Sequence, residues 1–354
     1  MFKGFVVKTF LAVTLLLAAC GTKSETDGAA KKISVIAVTY PQYDWFKNVL
    51  GGRADSVDLK LLIKNGTDLH SYKPSAQDIA AIASTDMVVY VGGESDEWIE
   101  KALAATPKEG RVQINLMEAL GDRVKEEEVV EGMEHHHEHG EEAEGHDHEH
   151  HEHAKATEPA EATSEHHHHD EEEEVENDEH IWLSLKNAEI LVKALAESIA
   201  KLDTAHATEY HMNAALYIAK ISALDAQYRA TMENATLKTI LFGDRFPFRY
   251  LVDDYGIKYY AAFVGCSAES EASFETITFL AGKMDSLALP AIFTIDGSDG
   301  KIARAILDAS KNSKNAEVLI LNSMQSVKDE QIKAGADYLS IMQDNLEVLK
   351  KTIK

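Results

Sequence analysis

Residues 126–179 hold 23 acidic side chains and a single basic one, Lys155, together with thirteen of the chain's 17 histidines. Between Glu134 and Glu174 this segment has no large apolar side chain. It therefore has no apolar surface to bury against the entropy of ordering, and is expected to be disordered on its own. The segment carries −22 of the chain's formal charge of −25, so everything around it is close to neutral. A chain of 354 residues is long enough for about two domains of ~100–200 residues each. The charge distribution thus divides it into two globular blocks flanking one polyanionic insert. No Lys/Arg-rich run is present to displace counterions from a phosphate backbone, which argues against a nucleic-acid partner.

The histidines of the insert form three tracts: His135, His136, His137 and His139; His146, His148, His150, His151 and His153; and His166, His167, His168 and His169. Imidazole is a borderline donor for zinc, copper or nickel, and the interleaved carboxylates attract any cation. The tracts read as a multi-site, low-affinity metal-collecting loop.

Residues 1–20 combine Lys3 and Lys8 with an apolar run from Phe10 to Ala19, followed by Cys20. A ten-residue run is too short to span a bilayer, which needs about 20, so it is expected to be an export signal. Leu17-Ala18-Ala19-Cys20-Gly21 resembles a lipobox, implying diacylation of Cys20 and membrane attachment through two acyl chains. The other cysteine, Cys266, then has no intramolecular partner, and a disulfide framework is excluded. Cys266 follows an apolar run and reads as a small packing side chain rather than a metal thiolate.

Short β-branched runs alternate with helical stretches on both sides of the insert. The strands expected before it are residues 33–40, 57–63, 87–91 and 111–116; those after it are 239–242, 258–263, 291–295 and 318–322. Helices are expected at 40–52, at 75–85 with a Ser-x-x-Asp cap, and at 274–287, 301–310 and 337–353. Residues 183–242 contain neither Gly nor Pro, and predict one or two long helices beginning near Ser184. The fold class is α/β: two lobes, each a parallel sheet flanked by helices, joined by a long rigid helix. The divisions are a signal peptide (1–19), a lipid-anchored tether (20–31), an N-terminal lobe (32–125), the His/acidic insert (126–179), the linking helical stretch (180–235) and a C-terminal lobe (236–354).

Four histidines lie outside the insert. His206 and His211 fall within the helical stretch, where a histidine with no ligand role is the default. His70, in the loop GTDLHSYKP after a strand, and His180, in NDEHIWL where the insert meets the helix, face the expected cleft and are ligand candidates.

At these residues the sequence resembles the zinc-type metal-binding lipoproteins that serve ABC importers as substrate-binding proteins. The resemblance is carried by VTYPQYDWFKNVLGG, GTDLHSYKP, STDMVVYVGGESDEW, DEHIWL and the tail from LILNSMQSV onward. It implies an interlobe metal site with His70 and His180 as the first two ligands. It also implies delivery to an ABC permease and its ATPase by a monomeric extracytoplasmic receptor. The family's third histidine begins a His-x-x-Phe-x-Tyr segment, and here Arg245 stands in that slot. A guanidinium has no lone pair to offer a cation. Asp244 and Asp296 are the substitutes weighed for the third ligand, with Glu269 and Glu271 as further options; completion by water or by a histidine of the insert is the remaining possibility. Zn2+ is the expected cargo, with Mn2+ second because a His/His/carboxylate set is harder. No phosphate loop, nucleophile elbow or His-Glu-x-x-His helix is present, so no enzyme is expected. The rival reading is a surface lipoprotein for metal buffering or adhesion.

Overall fold

The computed structural model describes residues 32–133, 176–267 and 271–353. The signal and tether expected at the N-terminus, the histidine tracts and Glu269 lie outside the described residues.

The first lobe is built from β1 (Ile33–Ala37), α1 (Tyr40–Leu50), β2 (Val57–Leu61), α2 (Ala76–Ser84), β3 (Met87–Tyr90), α3 (Glu97–Ala105), β4 (Val112–Asn115) and the short α4 (Leu116–Leu120). Its four strands are parallel in the order β2-β1-β3-β4. The helix boundaries follow local chemistry. Gln42 Oε1 accepts the Thr39 amide at 3.1 Å at the start of α1, with Pro41 in its first turn. Gly51, at φ 52°, ends that helix in a conformation few side chains tolerate. Ser75 and Asp78 form the expected box at α2.

The linking stretch is two helices, α5 (Leu185–Leu202) and α6 (Ala207–Glu233). Ser184 caps α5 by accepting from the Asn187 amide. Asp203 breaks the run: its carboxylate is bound by the His206 ring and the Tyr210 hydroxyl at the foot of α6. His211 is exposed on the helix surface. Tyr210, Ala214, Tyr217, Ile221, Leu224 and Tyr228 form a buried stripe along α6 at helical spacing.

The second lobe comprises β5 (Thr239–Phe246), α7 (Arg249–Tyr255), β6 (Lys258–Val264), α8 (Phe274–Ser286), β7 (Ala291–Ile295), α9 (Lys301–Ala309), β8 (Glu317–Leu321), α10 (Asp329–Lys333) and α11 (Tyr338–Thr352). Its parallel order, β6-β5-β7-β8, repeats that of the first lobe. While β1 stops at Ala37, with Tyr40 already beginning α1, β5 departs furthest of the strands from expectation, reaching Phe246 rather than 242. It runs on through a register shift between Phe242 and Arg245. There Gly243 lies so close to α9 that a Cβ would stand 2.4 Å from the Ala303 Cα.

One continuous core runs from β1 and β3 through α5 and α6 to Phe246, Trp182 and Tyr338. A smaller one fills the space between the second sheet and α8 and α9. Tyr338 joins the parts: its ring packs edge-on to Trp45 at 5.1 Å and its hydroxyl donates to the Trp182 carbonyl.

Candidate metal centre

In a parallel α/β sheet the carboxyl ends of the strands present their loops to a common crevice. Beyond β2 the chain makes a single turn, Leu69–Ser71, capped by Asp68, whose Oδ1 accepts the His70 amide at 2.9 Å. That turn aims the His70 ring at His180, which precedes another single turn, Ile181–Leu183. The two Nε2 atoms stand 3.1 Å apart. Two imidazoles on one tetrahedral zinc, each at about 2.0–2.1 Å, have their nitrogens roughly 3.3 Å apart. The separation is that of a chelating pair.

The far side of each ring is held. Asp178 Oδ1 sits 2.9 Å from His180 Nδ1 and also accepts the His180 amide, so the proton stays on Nδ1 and the Nε2 lone pair points into the site. His70 Nδ1 is 2.7 Å from the Ser95 hydroxyl and 3.5 Å from Glu179 Oε2. That oxygen is buried with no hydrogen-bond partner, while Glu179 Oε1 accepts the Ser95 amide at 2.7 Å. Gly93 makes room for this carboxylate: a Cβ there would lie 2.3 Å from Glu179 Oε1.

Burial pushes the His180 imidazole down to about 3, with the nearby Arg245 charge adding to the effect. Burial, then the neighbouring His180 and Arg245, also holds His70 far below the usual imidazole value. Both rings are neutral near pH 7 and offer lone pairs. Burial conversely raises Asp178 and Glu179 to about 7. A cation arriving between the rings would favour their ionised forms.

These carboxylates sit at the edge of the acidic segment, inside the bounds expected for the insert. The ordered fold reaches further in than the expected boundaries at 126 and 179. Glu126 bridges to Asn177, the Glu127 amide donates to the Glu176 carbonyl, and the Tyr250 hydroxyl links the Lys125 amide to the Asp178 carbonyl. Neither carries a sequence signal of its own, since each stands among acidic neighbours.

The candidates for the third ligand are arranged differently from the sequence expectation. Among the described residues, the group able to hold a metal is His70, His180 and Cys266, whose ligand atoms all lie within 4.8 Å of one another. Neither Asp244 nor Asp296 belongs to it. Asp296 turns its carboxylate to Ser323, accepting from that residue's amide at 2.6 Å and hydroxyl at 2.7 Å. Asp244 Oδ1 accepts the Arg245 amide, and Oδ2 is buried without a partner. Both line an adjoining cleft of about 870 Å³ with Asp68, Arg245 and Glu271. Arg245, in the vacant ligand slot, forms an ion pair with Asp68. It thereby braces the carboxylate that caps the His70 turn. Cys266, expected to be a packing side chain, is half-buried at the end of β6 beside both imidazoles.

Known proteins resemble this chain along most of its length. Residues 35–352 match the family described as ZnuA, zinc-uptake complex component A periplasmic. The zinc-binding lipoprotein AdcA of Streptococcus pneumoniae serotype 4 is 31% identical over 347 residues, covering 96% of this chain and 58% of its own length. The high-affinity zinc uptake system protein ZnuA of Bacillus subtilis is 28% identical over 345 residues, covering 97% of this chain and 95% of its own. The chain thus spans somewhat over half the length of the AdcA relatives. Among solved structures, the Zn(II)-bound ZnuA-like domain of Streptococcus pneumoniae AdcA superposes with a TM-score of 0.64 at 25% identity, over 91% of this chain and 99% of that domain.

Proposed function

Since the chain belongs to the family of zinc-uptake complex component A, we propose that it is an extracytoplasmic receptor that captures Zn2+ at His70 and His180 and delivers it to an ABC importer. The observation that carries this reading is the pair of neutral imidazoles with facing Nε2 atoms, 3.1 Å apart, each backed at Nδ1 by a hydrogen-bonding group. Such backing orients a ligand and raises its basicity. The relatives named for zinc binding and zinc uptake support the choice of cargo.

In this reading Cys20 carries the lipid anchor, the histidine tracts gather metal near the membrane, and the central site passes it to a permease powered by its ATPase. Gln325 faces the pair: its Nε2 donates toward His180 Nε2 at 2.8 Å while its Oε1 is buried without a partner. Zinc entering the pair displaces that amide. Zinc titration by calorimetry into the full chain and into His70→Ala, with manganese as competitor, tests the assignment. One tight site is expected in the first protein and none in the second, with weak sites persisting in both. A tight site of equal affinity in His70→Ala would place the receptor site elsewhere.

A further inference from the structure

We propose that Cys266 supplies the third protein ligand as a thiolate, so that the site is a His/His/Cys zinc centre; this rests on the receptor reading above. Four observations converge on it. The Cys266 sulfur and one ring nitrogen from each of His70 and His180 form the metal-capable group among the described residues, all within 4.8 Å of one another. The residue in the family's third-ligand slot, Arg245, has no lone pair and is engaged with Asp68. Asp296 is turned to Ser323, and Asp244 lies outside that group. Finally, the loop bearing the thiol is built against the site. A Cβ on Gly265 would stand 3.1 Å from both Cε1 and Nδ1 of His180 and 2.9 Å from the Phe246 carbonyl oxygen, so glycine alone lets the chain come this near. The Cys266 amide is then fixed by Glu127 Oε1 at 2.8 Å.

In a tetrahedral site with Zn–S about 2.3 Å and Zn–N about 2.0–2.1 Å, sulfur and nitrogen lie roughly 3.6 Å apart. The required contraction is on the order of an ångström, within reach of a side-chain rotation. On binding, the S–H bond breaks, its proton leaves to water, and the sulfur electron pair forms the bond to zinc. The pair of imidazoles is thereby completed by one negative donor, and the ion's charge falls by one. A thiolate is softer than the carboxylates expected from the sequence, so it moves the preference away from manganese and toward zinc. The substitution of arginine for the family's histidine is in this way matched by a donor from a neighbouring segment: the turn after β6 supplies what β5 does not.

The test uses the full chain carrying Cys20→Ser, which leaves Cys266 as its one thiol. With one equivalent of cobalt(II), the proposal expects a thiolate-to-cobalt charge-transfer absorption in the near ultraviolet that zinc abolishes; imidazoles and carboxylates of the histidine tracts give no such band. One equivalent of zinc should also protect Cys266 from iodoacetamide. Cys266→Ser in the same background should lose the band and bind zinc more than about a hundredfold less tightly, beyond the 10–100-fold typical of losing a ligand's outer partner. Tight zinc binding with no charge-transfer band and no protection from alkylation would overturn the thiolate ligand and leave the receptor intact. Absence of any tight zinc site in the parent chain would overturn both. The cobalt spectrum and the alkylation are read on the parent, so neither depends on how the serine variant folds.

Discussion

Two neutral imidazoles hold a cation only as firmly as the groups behind them allow. Asp178 and Glu179 are both buried beside the His70/His180 pair. Asp178→Asn keeps an oxygen for the His180 amide but removes the charge that makes Nε2 basic. Glu179→Gln does the same behind His70. Each is expected to weaken zinc binding about 10–100-fold with little change in thermal unfolding of the metal-free protein, as read by competition with a chromophoric chelator alongside a melting curve. Unchanged affinity in both variants would mean that these carboxylates only fill space. The same residues show where a sequence is transparent. His70 and His180 stand out because each is isolated in a loop next to a recognisable element. Glu179 does not, since a carboxylate following the 22 others of the segment looks solvated, and only the fold shows that it faces Ser95. Cys266 was hidden for the opposite reason: after an apolar strand, a thiol about to meet two imidazoles has the same local pattern as one about to meet a leucine.

The elements were legible because their signals are local. A Ser-x-x-Asp box, a Tyr-Pro helix start and β-branched runs each act within a few residues, and the strand at 291–295 came out as read. The extension of β5 through its irregularity at Gly243 was not, because it depends on how near α9 approaches. One fastening between elements gives a pH-dependent expectation. Asp86, leading into β3, accepts the Ser34 amide at 2.9 Å and hydroxyl at 2.8 Å from β1, and Lys108 Nζ at 2.6 Å. Partial burial raises its pKa, but the Lys108 and Ser34 hydrogen bonds outweigh this and hold it well below the usual carboxylate value. Because the folded pKa is depressed, the unfolded chain binds the proton first as the solution is acidified. The contribution is therefore complete above the ordinary Asp value of about 3.9 and is lost as pH falls through the folded pKa. Asp86→Asn should cost about 1–2 kcal/mol near neutrality, a figure kept low because the carboxylate is partly solvated. In urea unfolding followed from pH 7 to 3, the variant should lose less stability than the parent. Parallel curves would show that the ion pair contributes nothing.

For the whole molecule, the division into two α/β lobes around a helical connector follows from charge segregation and strand spacing, which act over long stretches. The limits of the insert did not follow, because burial of Asp178 and Glu179 depends on Tyr250 and Ser95 far along the chain. The ordered contacts between residues 125–127 and 176–178 close the base of the excursion, which defines what can be removed. Residues 134–175 contain all thirteen clustered histidines and 16 of the acidic side chains. Replacing them with a short Gly/Ser linker should leave one tight zinc site of unchanged affinity while the weak equivalents disappear from the calorimetric isotherm. A wider deletion reaching through 179 should damage the tight site as well, since it removes both carboxylates behind the imidazoles. If the shorter deletion left the total zinc stoichiometry unchanged, the tracts would not be metal collectors; if it abolished the tight site, a histidine from the tracts would belong in the coordination sphere beside His70 and His180.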